Sequence, residues 1–179
     1  MAGASSSRRA DVPRAAIRQF EALAALLDGF ATVVLQTPFD AYVARPVPGV
    51  SGSIGAQVRH TLDHVAAFLS SAQGGSVSYD HRDRGTVVER DPAAALRTIF
   101  RLKTALLDSG VETLDAPVQV VTQVAADEEA VSVWSSRARE LAFVQSHTIH
   151  HQAIIALLLV MQGLMPPAGL GYAPSTPRG

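Results

Sequence analysis

The chain has 179 residues, 47% hydrophobic and 17% charged, which suits one globular domain with a sizeable core. A formal net charge of −1 argues against a nucleic-acid binder, which would carry a basic face or stripe. With no cysteine, disulfide frameworks and thiolate metal sites are excluded; a metal must use nitrogen and oxygen ligands, and any thiol must arrive on a substrate.

Residues 1–12 hold Ser and Arg but no apolar segment, so they read as a disordered tail rather than a signal peptide. Residues 13–179 read as a single domain. The apolar run 153–161 is too short to span a bilayer and reads as a core helix, so no membrane is expected and the cytoplasm is the expected location.

The first helix is expected over residues 13–36. Ile17, Phe20, Leu23, Leu26, Leu27, Phe30 and Val34 recur at three- and four-residue steps, Pro13 suits a first turn, and Thr37-Pro38 ends the run. Residues 40–52 are a loop whose Tyr42 and Arg45 either line a pocket mouth or stay solvated. Ser51 or Ser53 caps a second helix running to about Ser71. His60 and His64 share one face of it, Val58, Leu62, Val65 and Leu69 lie nearly opposite, and Arg59 and Asp63 mark its wet edge.

Residues 76–90 are polar and irregular, and read as a loop. Tyr79, Arg82 and Arg84 there are the candidates for gripping an anionic substrate, and His81 reads as solvated. Asp91-Pro92 opens a third helix as N-cap and N1, with Leu96, Ile99, Phe100, Leu102, Leu106 and Leu107 facing inward. Alternation then replaces the helical period. Val118, Val120, Thr122 and Val124, followed after Asp127-Glu128-Glu129 by Val131, Val133 and Ser135, predict a short β-hairpin that must lie against the helices.

Residues 137–165 read as the fourth helix, stopped by Pro166-Pro167, with an irregular tail beyond. His147 and His151 stand about 40° apart on one face, with Val144, Ile154, Ile155 and Leu158 on the same side. Two inward imidazoles four residues apart either share a metal ion or are core histidines bonded to neighbours. His150 lies about 60° off that pair and reads as a boundary residue. Glu140 lies near the His147 face, placed to accept an imidazole N–H or to pair with Arg137 or Arg139. A histidine face on the second helix and another on the fourth predict an all-α four-helix bundle with the site in its core. His60 is the expected third ligand, with His64 its rival one turn on. Three neutral imidazoles leave coordination positions for water or substrate, the layout of a catalytic metal, and they suit zinc, nickel or iron.

The run Ser53-Ile54-Gly55-Ala56-Gln57-Val58-Arg59-His60-Thr61-Leu62-Asp63-His64 is similar to the second-helix signature of the DinB/YfiT-like superfamily. Ser146-His147-Thr148-Ile149-His150-His151 resembles that family's H-x-x-x-H. Tyr79-Asp80-His81-Arg82 and Gly171-Tyr172-Ala173-Pro174-Ser175-Thr176 look like one bacterial branch of it. The resemblance covers residues from about 14 to the end and implies a DinB-like four-helix bundle of unusual connectivity, often a homodimer. It also implies a divalent metal on His60, His147 and His151. Relatives of that kind include transferases and isomerases that use low-molecular-weight thiols such as mycothiol, bacillithiol or glutathione, acting on a small-molecule substrate. His64 and His150 are additional to the pattern and keep the first ligand open by one turn. The competing expectation is a non-catalytic metal- or ligand-binding bundle.

Overall fold

The computed structural model describes residues 4–46, 52–71, 75–80, 85–109 and 114–177. The fold is mostly helical with a small mixed sheet. Its elements are α1 (Ala4–Gln36), α2 (Phe39–Val43), α3 (Ile54–Ser70), β1 (Ser76–Val77), α4 (Pro92–Leu107), β2 (Pro117–Thr122), β3 (Val131–Ser136) and α5 (Arg137–Met161). A 3₁₀ turn, Val87–Glu89, precedes α4.

Each long helix packs against two others: α1 on α4 and α5, α3 on α5 and α4. Phe20, Leu23, Leu27, Phe30 and Val34 of α1 meet Ile54, Val58, Leu62, Val65 and Phe68 of α3 in one buried cluster. Ile99, Leu102 and Leu106 of α4 and Leu141, Val144, Ile155 and Leu158 of α5 complete it. Burying each such side chain contributes about 1.5–3 kcal/mol, which is why the three- and four-residue apolar steps predict the inward faces. Ile17, Phe100 and Leu107 depart from that pattern and are about half exposed. Polar side chains stitch α5 to α1: Gln145 Nε2 donates to the Gln19 carbonyl at 2.6 Å and Gln152 Nε2 to that of Leu26 at 2.8 Å.

The caps are local. Ser53 Oγ accepts from the Ala56 N–H and Asp91 Oδ1 from that of Ala93, as expected, and Pro92 opens α4. Ser136, the last residue of β3, caps α5 through the Arg139 N–H, so strand passes into helix without a loop.

Four expectations need correction. The segment expected as a disordered tail is helical from Ala4, with Pro13 inside the helix leaving the Arg9 carbonyl without its donor and crowding it. The hairpin is real, with Val120 opposite Val133, but β1 adds a third strand parallel to β2, pairing Ser76 with Gln119. A two-residue parallel pairing is long-range and leaves no period to read. The fourth helix ends at Met161, short of Met165. And α5 as a whole is long and apolar enough, by length and composition, to cross a membrane; it reaches that mark because its core and histidine faces together carry few charges.

The 3₁₀ turn sits directly on the start of α3. Tyr42, fully buried rather than at a pocket mouth, donates its hydroxyl to the Val88 carbonyl at 2.8 Å. A Cβ on Gly55 would run into the Glu89 carbonyl and lie 2.6 Å from the Tyr42 ring, so only glycine lets the turn approach. Gly55→Ala is expected to destabilise the fold by about 1–3 kcal/mol through overpacking. Thermal melts test this; an unchanged midpoint would mean that the turn yields freely.

Candidate metal centre

His60 and His64 on α3 meet His147 and His151 on α5. Gln57 touches His151, His60 touches His147, and His64 packs on Phe143, so the two helices run antiparallel along this seam. His60 Nε2 and His147 Nε2 face each other at 3.1 Å, a spacing that suits either an N–H···N bond or two donors on one ion. Ligand atoms of His60, His64 and His147 all lie within 4.8 Å of one another.

Hydrogen bonds choose which nitrogen each outer ring offers. His64 Nδ1 lies 2.9 Å from the His60 carbonyl and His151 Nδ1 lies 2.6 Å from Gln57 Oε1. Both partners only accept, so both Nδ1 atoms carry a proton, and in the neutral form of each ring Nε2 holds the lone pair, the arrangement found behind metal-bound histidines.

Ring geometry sorts the four. Imidazoles bound through Nε2 hold their ring centres about 3.2 Å from the ion, so ligands about 90–105° apart have centres about 4.5–5.1 Å apart. His60–His147 and His60–His151, at 5.0 and 4.5 Å, fall in that range and His147–His151, at 4.4 Å, just under it, with planes 64–75° apart. His64 instead stacks on His147 at 4.0 Å and 21°, closer and flatter than two ligands of one ion. The stacked pair counts against His64, whereas the His60–His64 spacing of 4.4 Å at 74° and the compact donor grouping count for it, so both His151 and His64 stand as candidates beside His60 and His147. His150 is exposed, its ring centre 5.2 Å from that of His151, at the boundary as expected.

A cavity of about 580 Å³ opens on His60, His64 and His147, between α3, α5 and the sheet. Val120, Val121, Val133, Trp134 and Phe143 make much of its wall apolar, while Asp80, Arg139 and Glu140 supply charge. Glu140 is buried and its Oε1 accepts from Ser135 Oγ at 2.6 Å. That hydroxyl takes the place of the expected arginine partners: among the described residues no ion pair joins Glu140 to Arg137 or Arg139.

Tyr79 lines this cavity and its ring stacks on His64 at 5.2 Å. Its hydroxyl is buried and makes no hydrogen bond of good geometry among the described residues, yet burial first, and the Glu140 carboxylate second, push its pKa well above the ordinary phenol range. Asp80, next in the chain, accepts from the Gln123 N–H at 2.8 Å and ties this segment to the end of β2. Arg82, Arg84 and His81 lie outside the described residues.

Three features escaped the sequence reading. Gln57, one turn before His60 on its face, orients His151, and only its spacing hinted at this. Arg59, expected at the wet edge, is 8% exposed and bonds both Asp63 and Glu89 at 2.9 Å. Arg137 is 1% exposed, and none of its guanidinium nitrogens has a hydrogen-bond partner among the described residues. It lies over the Phe68 ring at 4.8 Å, and desolvation lowers its pKa.

No known family's profile matches the chain, and no solved structure matches it. A protein named FK506-binding protein 5, from Rhizopus delemar, is 34% identical over 101 residues, covering 56% of this chain and 26% of that protein. The matched region thus spans about a quarter of the length of that relative.

Two expectations follow. Tyr79 and Tyr42 both have pKa values raised above 10.0, Tyr42 chiefly by burial. A folded-state pKa above the unfolded one gives stability that is complete below about pH 10 and declines as pH rises beyond it. Urea midpoints should therefore hold steady to pH 10 and then fall, with a shallower fall in Tyr79→Phe; an identical fall in that variant would assign the effect elsewhere. Arg137→Met should stabilise the fold by about 1–3 kcal/mol, because it removes a buried charge without a counter-ion. A loss of similar size in urea titrations would mean that a bound water or anion holds the guanidinium.

Proposed function

We propose that the protein binds one divalent metal through Nε2 of His60, His147 and His151. We propose further that it serves as a metal-dependent enzyme of the DinB-like type, a four-helix bundle acting on a small molecule. The observation that carries this reading is the mutual spacing and edge-on setting of those three rings. It is supported by the hydrogen bond that presents His151 Nε2, and by a donor set with neither thiolate nor carboxylate, which suits zinc, nickel or iron. A divalent ion at such a site lowers the pKa of a bound water or thiol toward neutrality and so supplies a nucleophile.

The chain's own groups set the rest of the chemistry. Gln57 fixes the His151 ring. The His60 carbonyl fixes His64, which lines the cavity beside the triad, where its imidazole is placed to take a proton from an arriving thiol or water. Glu140, held by Ser135, places a carboxylate at the same cavity. The apolar wall keeps water away from a small electrophile.

Metal content measured by mass spectrometry on untagged protein tests this reading. About one ion per chain is expected in the wild type and in His64→Ala. Little should remain in His60→Ala, His147→Ala or His151→Ala, since losing one of three ligands removes most of the affinity. Loss in His64→Ala with retention in His151→Ala would move the third ligand by one position. An absence of metal even after incubation with zinc, nickel or ferrous iron would overturn the enzyme reading and leave a non-catalytic ligand-binding bundle.

A further inference from the structure

His60 borders two cavities. Besides the first there is a second, of about 800 Å³, which also reaches His151 and Gln57 and is lined by Arg45, Arg59 and Arg90. The two cavities therefore share His60 and border the same histidine cluster, with walls of different chemistry.

The charges of the second cavity do not cancel. Arg59 is taken up by Asp63 and Glu89. Glu89, the acidic residue in the lining, is itself committed, since its Oε1 accepts from both Arg59 Nε and the Gly85 N–H. Arg90 donates to the Gly85 carbonyl at 3.0 Å, a bond that leaves its charge uncompensated. Neither Arg90 nor Arg45 has a carboxylate partner among the described residues. Two arginines thus face a polar cavity whose inner end is the His60–His151 edge, while the first cavity offers valines, Trp134 and Phe143.

We infer that the second cavity binds the carboxylate of a small co-substrate through Arg45 and Arg90, holding its reactive end toward His60 and His151. An apolar electrophile then approaches from the sheet side. A guanidinium is suited to this task because its paired N–H groups match the two oxygens of a carboxylate. The inference rests on the metal-centre reading for the reactive end, but the carboxylate site stands on the arginines alone.

The two parts are separable by experiment. On cobalt-loaded protein, thiolate-to-metal absorption is titrated with N-acetylcysteine and with its uncharged amide. The acid should bind about tenfold more tightly, equivalent to about 1.4 kcal/mol. That preference should shrink to less than about threefold in Arg45→Gln and in Arg45→Gln/Arg90→Gln, with cobalt content and amide affinity unchanged. Arg45 holds nothing else among the described residues, so its single variant guards against a folding defect in the double one. Equal binding of acid and amide, or a preference that survives both substitutions, would overturn the inference. If cobalt does not bind, succinate titrated calorimetrically into the metal-free protein decides the carboxylate site: heat lost in the variants supports it, and no heat in the wild type refutes it.

Discussion

Everything at the centre depends on the antiparallel contact between α3 and α5. Val58, Leu62, Val65 and Phe68 anchor α3 in the core, and Leu141, Val144, Ile155 and Leu158 do the same for α5. That burial sets the rotation of both helices, and the imidazoles are carried on the faces that remain. A rotation sufficient to separate His60 from His147 would expose several of these side chains, at a cost of about 1.5–3 kcal/mol each. The site geometry is thus held by apolar packing, and the histidines need not hold the helices together.

Polar contacts then refine what packing has placed. Gln57 and the His60 carbonyl orient two of the rings, Ser135 holds Glu140, and Arg59 clamps α3 to the 3₁₀ turn through Glu89. Buried pairs of this kind contribute little net stability after desolvation, but each limits its groups to one arrangement. Gly55 belongs to the same device, because the Arg59–Glu89 bond forms only if the turn can lie against α3. Arg137 is the exception, a buried cation with an aromatic face as its neighbour.

The sheet turns a histidine seam into a cavity. β3 continues straight into α5 through the Ser136 cap, so the strands are fixed relative to Glu140 and His147. Asp80 ties the Tyr79 segment to the end of β2, and β1 joins that strand's edge. The result is a wall over the His60, His64 and His147 cavity, while the Arg45–Arg90 cavity borders His60 and His151 with none of the sheet in its lining.

The helices, their caps at Ser53 and Asp91, and the pairing of β2 with β3 were legible in the sequence, because each follows from local periodicity or from one side chain bonding its own backbone. So were the two histidine faces, since four-residue spacing puts His60 with His64, and His147 with His151, on one side of a helix wherever that helix goes. Tertiary structure alone decided the remainder. That His64 stacks on His147 depends on the approach of two helices, which no spacing within one helix encodes. Arg59 reads as solvated until Glu89, thirty residues on, folds against it. β1 needs a partner more than forty residues away, and Tyr42 becomes core only when Val88 accepts its hydroxyl. Contacts within one helical turn or one hairpin leave a period in the chain; contacts between distant segments leave none, and it is these that give the histidine cluster its two differently walled cavities.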